Sequence, residues 1–230
     1  MKHQGKALNA AAVILGKGLL AVVFLAGFSA FVFPKSFGLA AIVCALGFVF
    51  FAFVLWFFRD PSPVVPPDPA LIVSPAHGTV DVIDETVENE VMGGRCRRVS
   101  IFLSVFNVHV QQAPVEGTVV YQKHTPGLFL NALKTESAAH NENVLLGLNA
   151  TLSPGVRIGV RLITGLIARR IIPWTRIGDR IAKGERISLI QFGSRVNVYL
   201  PLQSEIRVKL GDKVFGGQTV VGHLLGSKTP

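Results

Sequence analysis

Two uncharged apolar runs stand back to back near the start of this chain, and they limit what it can fold into. Gly18–Pro34 carries no charged side chain and neither does Ser36–Phe58, with Lys35 alone between them. The second run is 23 residues long, enough for a helix to cross a bilayer with some tilt. The first also spans if its helix begins near Ala7 and the Lys17 ammonium snorkels to the interface. Pro34-Lys35-Ser36 reads as a tight turn, so residues 1–58 are expected to form a transmembrane helical hairpin. A cleaved signal peptide fits poorly, because a second apolar run follows at once with no small-residue cleavage site between.

Charge gives the hairpin an orientation. Of the 23 basic residues, four (Lys2, Lys6, Lys17, Lys35) fall in residues 1–58, with none of the 14 acids, which leaves 19 basic against 14 acidic beyond. Lys2 and Lys6 before the hairpin and Arg59 after it place both ends, and the domain that follows, on the cytoplasmic side of the cell membrane. The basic excess suits an anionic bilayer surface. Nucleic acid is not expected as a partner, since no basic cluster is interleaved with aromatics. Cys44 lies in the second apolar run and Cys96 in the polar part, so no disulfide is expected, and no metal-ligand spacing occurs.

Five prolines between Pro61 and Pro69 make residues 59–70 a stiff, extended linker that would lift the next domain off the bilayer. From Leu71 the pattern is short apolar strands punctuated by Gly and Pro, which predicts a mainly β (α+β) domain over 71–230. Pro75-Ala76-His77-Gly78-Thr79-Val80 returns 39 residues later as Pro114-Val115-Glu116-Gly117-Thr118-Val119. Gly178–Ile187 returns 33 residues later as Gly211–Val220. Two copies of each unit predict a lipoyl-like β-sandwich with an internal pseudo-repeat and one or two inserted helices. The helix candidate is Thr164–Ile172, stopped by Pro173, with Arg169 and Arg170 in its last turn. That arginine pair is either a solvated face or a grip on a lipid phosphate.

Leu189–Pro201 opens apolar, breaks at Gly193-Ser194 and resumes as an alternating strand, Val196, Val198 and Leu200 on one face and Asn197 and Tyr199 on the other. The Gly-Ser step is either an ordinary turn or a strained one that presents a serine hydroxyl to the carbonyl before it.

Taken in order, several segments resemble the short-form phosphatidylserine decarboxylase proenzymes: Phe57–Pro61, Ser74–Val80, Ile101–Val110, Ala113–Gly117, Lys134 through Asn141-Glu142-Asn143, Ala168–Ile171, Gly184–Arg186 and Phe192-Gly193-Ser194-Arg195. The resemblance implies a self-processing zymogen, cut between Gly193 and Ser194 into a β chain 1–193 and an α chain 194–230. Ser194 would become a covalent pyruvoyl group, the only cofactor, which forms a Schiff base with phosphatidylserine and releases phosphatidylethanolamine. His109 matches a family histidine and is the expected general base. Arg195, beside the pyruvoyl position, could hold the substrate carboxylate or phosphate, or be a strand-edge residue.

The sequence departs from the family at His77, where Asp is usual. Either His77 is itself the base or orienter, or Asp81 or Glu116 supplies the charge. Gln112 falls where long forms have a second histidine, and Ser188 stands where glycine is common. The alternative reading is an uncleaved, non-enzymatic membrane-tethered relative that binds lipid or a partner, or a decarboxylase of a related serine phospholipid. The sequence leaves homo-oligomerisation open.

Overall fold

Lys6–Val32 and Phe37–Phe57 form helices α1 and α2, of 27 and 21 residues. At 1.5 Å per residue both are long enough to cross a hydrocarbon layer, and both are apolar enough to do so. They pack as a hairpin through small residues. A Cβ on Gly18 would come within 2.7 Å of the Phe50 ring, and one on Gly47 within 2.8 Å of Val22. Phe24, Phe31 and Phe48 point outward, the pattern of helices whose partner is lipid rather than a protein core. The structure, a computed structural model, describes residues 2–33, 37–131, 139–166, 170–191 and 193–224. The Pro34-Lys35-Ser36 turn lies outside them.

The chain divides into two compact units, Gln4–Asp60 and a second that takes in everything from Pro61. The proline-rich segment therefore belongs to the β domain and is not a free spacer. Pro63 is buried, and a Cβ on Gly217 or Gly184 would strike Pro63 (2.8 Å) or Val65 (2.4 Å). The Lys183 ammonium donates to the Asp68 carbonyl. Prolines fix the extended conformation in advance, so the segment loses little entropy on docking.

The domain's strands are β1 Leu71–Val73, β2 Gly78–Glu88, β3 Gly94–Leu103, β4 Val110–Gln112, β5 Gly117–Thr125, β6 Asn143–Ala150 and β7 Arg157–Thr164. They continue with β8 Arg170–Pro173, β9 Arg180–Ile181, β10 Arg186–Gln191, β11 Ser194–Leu200, β12 Glu205–Ile206, β13 Lys213–Val214 and β14 Val220–His223. A curled eight-stranded sheet runs β13-β2-β3-β11-β7-β6-β5-β9, and two three-stranded sheets run β1-β14-β12 and β4-β10-β8. All pairings between named strands are antiparallel. The main core includes Val80, Ile101, Leu146, Leu162, Val196 and Val198 from the large sheet, with Ile187, Ile190 and Val221 from the small ones.

Both sequence echoes are structural. Val73 N–H donates to Pro114 C=O, and Gln112 N–H, 39 positions after Val73, donates to Pro75 C=O, each at 2.9 Å. The two PxxGTV copies thus exchange bonds as halves about a two-fold axis would. β13 pairs with Gly78-Thr79 of β2 as β9 pairs with Gly117-Thr118 of β5. Each of β2 and β5 shifts register at the matching place, Val80/Val82 and Val119/Tyr121. One half is continuous, β4 to β10. The other is split around it, β1–β3 and β11–β14.

The expected Thr164–Ile172 helix does not form. Thr164 ends β7 and Arg170–Ile172 lie in β8, paired with β10. The β-branched isoleucines suit a ladder against Leu189 and Ile190 better than a nine-residue helix that could not nucleate alone. Among the described residues, the β domain contains no α-helix.

Candidate active site

The interrupted half forces the chain to cross between halves twice, once over residues 104–109 and once from Gln191 to Ser194. These two crossings lie side by side. Ser194, first residue of β11, stands opposite Leu103, the last of β3, and opposite Thr164, the last of β7.

The first crossing is a closed turn. Asn107 N–H donates to the Ser104 carbonyl, and Asn107 Oδ1 accepts from both the Ser104 amide and its hydroxyl, all at 2.9 Å. The turn fixes the Asn107 carbonyl, which lies 2.9 Å from Nδ1 of the fully buried His109. A carbonyl only accepts, so Nδ1 carries the proton and Nε2 presents a lone pair. That lone pair accepts the Gly193 amide at 3.2 Å. Behind the ring, Gln111 Nε2 donates to the His109 carbonyl and Ser188 Oγ donates to Gln111 Oε1.

In the second crossing Gly193 has φ +66°, a left-handed conformation that costs any other residue about 1 kcal/mol or more. A Cβ there would meet nothing nearer than Val105 at 3.7 Å, so backbone conformation, not space, calls for glycine. The Ser194 hydroxyl that follows is buried, and its oxygen has no hydrogen-bond partner among the described residues. An unpaired buried hydroxyl carries a desolvation cost of about 1–3 kcal/mol. The glycine-serine step thus joins a left-handed glycine to a buried serine hydroxyl.

The family model for phosphatidylserine decarboxylase matches residues 50–222. A phosphatidylserine decarboxylase proenzyme of Symbiobacterium thermophilum is 47% identical over 172 residues, covering 75% of this chain and 79% of its own. The proenzymes of Desulfotalea psychrophila and Pelobacter propionicus are 43% and 41% identical over 203 and 208 residues, covering 86% and 87% of this chain and 92% and 93% of theirs. The chain belongs to the phosphatidylserine decarboxylase family.

Of the residues picked out by resemblance to phosphatidylserine decarboxylases, the fold brings Gly193, Ser194 and His109 together. His77 sits in the turn before β2, edge-on to Phe215 at 6.2 Å between ring centres and, like Gln112, within reach of a side chain on Gly216. The imidazole bonded to Gly193 is that of His109. Arg195 points away from Ser194, because successive strand residues face opposite sides. Its guanidinium, 2% exposed, forks onto Asp81 at 2.6 and 2.9 Å and donates to Ser100 Oγ at 2.7 Å. Asp81 occupies the β2 register shift, and such irregularities re-aim a side chain. Glu116 occupies the turn before β5, the counterpart of His77 in the other half. Arg170 is exposed at the start of β8 opposite Gln191. Arg169 and Phe192 lie outside the described residues.

Sequence reading missed Asn107, whose carbonyl sets the histidine tautomer; a carbonyl leaves no side-chain signal. It also missed the Arg195–Asp81 pair. Asn141, matched by the family motif but given no role, is nearly fully buried. It donates to the Leu130 and Thr164 carbonyls and accepts the Leu130 amide.

Proposed function

We propose that the chain is a self-processing decarboxylase that converts phosphatidylserine to phosphatidylethanolamine, with its catalytic domain on the cytoplasmic face of the membrane. One observation carries this: a buried Ser194 hydroxyl, unpartnered among the described residues, follows a left-handed Gly193 whose amide is held by the lone pair of His109.

In processing, His109 Nε2 takes the Ser194 Oγ proton as the oxygen attacks the Gly193 carbonyl carbon. The C–N bond breaks, its electrons go to the Ser194 nitrogen, and that nitrogen takes a proton. The chain is then joined through an ester. Loss of the Ser194 α-proton breaks the Cβ–Oγ bond and frees Gly193 as a carboxylate terminus. The remaining enamine tautomerises and takes up water, releasing ammonia and leaving a ketone.

The residues present fit a pyruvoyl group: it would be held as the first residue of β11, with Thr164 and Leu103 on either side. When formed, the ketone supplies an electron sink for the pair released as carbon dioxide leaves a headgroup amine. His109 stays within reach of that terminus as a proton carrier, and the Asn107 carbonyl keeps its proton on Nδ1. Arg170, exposed opposite Gln191, would meet an anionic headgroup there.

The test is the intact mass, under denaturing conditions, of the wild-type chain beside Ser194→Ala. The expected result is two wild-type fragments, 1–193 and 194–230, the smaller lighter than a serine-initiated chain by the mass of ammonia, and one uncut Ser194→Ala species. Vesicle phosphatidylserine should then yield phosphatidylethanolamine. A single full-length wild-type species would overturn the proposal in favour of an uncut lipid-binding relative.

A further inference from the structure

The Ser194 end of the large sheet carries an apolar rim. Three connections leave that end: residues 104–109 after Leu103, residues 126–142 between Thr125 and Asn143, and the segment after Thr164. Thr125 pairs with Asn143 and Asn143 with Ile163, so these strand ends are level with Thr164 and hence with Ser194. Their described parts expose Phe106 (68%), Leu128 (57%), Phe129 (40%), Leu130 (40%) and Leu166 (65%) to solvent. Large apolar side chains concentrated on one edge mark a surface that meets something apolar.

The rim is not a loose tip. Asn141 ties Leu130 to Thr164 by the three bonds given above. Leu128 adds backbone bonds to His140 and Glu142 at 2.8 and 3.0 Å, and the Thr164 amide and hydroxyl both donate to the Glu142 carbonyl. The backbone of Leu128 and Leu130 is therefore tied down while the side chains of Leu128, Phe129 and Leu130 stay exposed.

We propose that Phe106, Leu128, Phe129, Leu130 and Leu166 insert into the interface of a phospholipid bilayer and seat the Gly193–Ser194 end of the domain in it. This rests on the reading above, in which the substrate is a bilayer lipid. Three observations select a bilayer. The same chain carries two helices long and apolar enough to cross a membrane. Residues 126–131, 165 and 166 carry no charge that would have to be desolvated on insertion. One exposed cation, Arg170, lies beside the rim, while Glu142 is engaged by His124 at 2.9 Å. Apolar side chains beside basic charge are the composition of an interfacial membrane contact. A diacyl lipid would then present its headgroup to Ser194 without leaving the bilayer.

The test uses the full chain, with Cys44→Ser, reconstituted in vesicles of phosphatidylcholine and phosphatidylglycerol with brominated acyl chains. A fluorescent thiol label is placed at Leu128→Cys, at Leu166→Cys, or at Leu202→Cys in the β11–β12 turn at the far end of the sheet. Cys96 is buried and stays unlabelled. The proposal expects quenching at 128 and 166 several-fold stronger than at 202; equal quenching at all three, or none, overturns it. In parallel, a Leu128→Ser/Leu166→Ser chain should still cut itself and process a dispersed short-chain phosphatidylserine as wild type does. Its turnover of vesicle lipid should fall about tenfold. Unchanged vesicle turnover would sink the rim while leaving the decarboxylase intact. An uncut parent chain would sink the decarboxylase, and the quenching pattern would still decide the rim. Protection of the labels by self-association without quenching would assign the rim to a second copy of the chain and overturn the proposal.

Discussion

The Gly193 amide donates to His109 Nε2 across 3.2 Å, so the ring that would take a proton from Ser194 is already docked on the peptide unit immediately before the one that would be cut. The bond fixes which ring nitrogen has the lone pair. It also means that the base must release an amide before it can take the hydroxyl proton, a short exchange between adjacent groups.

Replacing His109 should therefore slow the cut without removing the nucleophile. His109→Gln should lower the self-cleavage rate by about 10² to 10⁴, read as the uncut fraction over time by denaturing mass spectrometry. Asn107→Ala keeps the carbonyl but loosens the turn that aims it, and should slow cleavage by about tenfold. Wild-type cleavage in His109→Gln would move the base elsewhere, with His77 the next to test.

Arg195 and Asp81 hold the strand that begins at Ser194. In the proposed cut chain, where Ser194 would be a terminus, the ladders to β3 and β7 and this ion pair should keep β11 from fraying. Asp81→Asn leaves a 2%-exposed guanidinium without its counter-charge and should cost about 3 kcal/mol, a melting point about 6–12 °C lower. Calorimetry of the processed protein is the measurement. Both fragments should co-purify in wild type and separate only on denaturation.

The two-fold relation between the halves predicts paired failures. A Cβ on Gly78 would lie 2.2 Å from the Phe102 carbonyl oxygen, and one on Gly117 2.4 Å from that of Asn149. Both obstacles are backbone of a neighbouring strand, which cannot yield. Gly78→Ala and Gly117→Ala should each destabilise by about 3 kcal/mol or more, seen as loss of soluble cut protein. Tolerance of either would show that the half concerned can shift its ladder.

Burial, and secondarily the Glu88 carboxylate, raises the Cys96 thiol from its usual 9.0 to about 11. The folded state favours the neutral thiol, so this contribution to stability is complete below pH 9 and is lost as pH rises through about 11. In a Cys44→Ser chain, Cys96 should resist alkylation at pH 8 and react at once in guanidinium, when measured by mass. Rapid labelling of the folded chain at pH 8 would contradict its burial.

Patterns local to the chain were legible in the sequence. Lys6–Val32 and Phe37–Phe57 were legible as apolar helices, because a long run with almost no charge satisfies its backbone within a helix when it lies away from water. The period-two alternation from Val196 to Leu200 gave both faces of β11, and the glycine-punctuated echoes gave the two halves. Resemblance, not periodicity, singled out Ser194 and His109. The reading failed at Thr164–Ile172, where a helix-like spacing of isoleucines was overridden by an available ladder on β10, and at Pro61–Pro69, where stiffness was read but docking was not.

The sequence by itself determined most of the element types, the apolar hairpin and the glycine-serine step, because these depend on side-chain period and backbone freedom within a few residues. Only the tertiary structure decided that one half is inserted into the other, so that residues 104–109 and Gln191–Ser194 run side by side. It also decided that Asn107 sets the tautomer of His109 and that Arg195 answers Asp81 rather than a ligand. Those are contacts between segments up to 114 positions apart or through backbone carbonyls. Neither leaves a period or a spacing in the sequence; they exist only once the sheet has closed around its core.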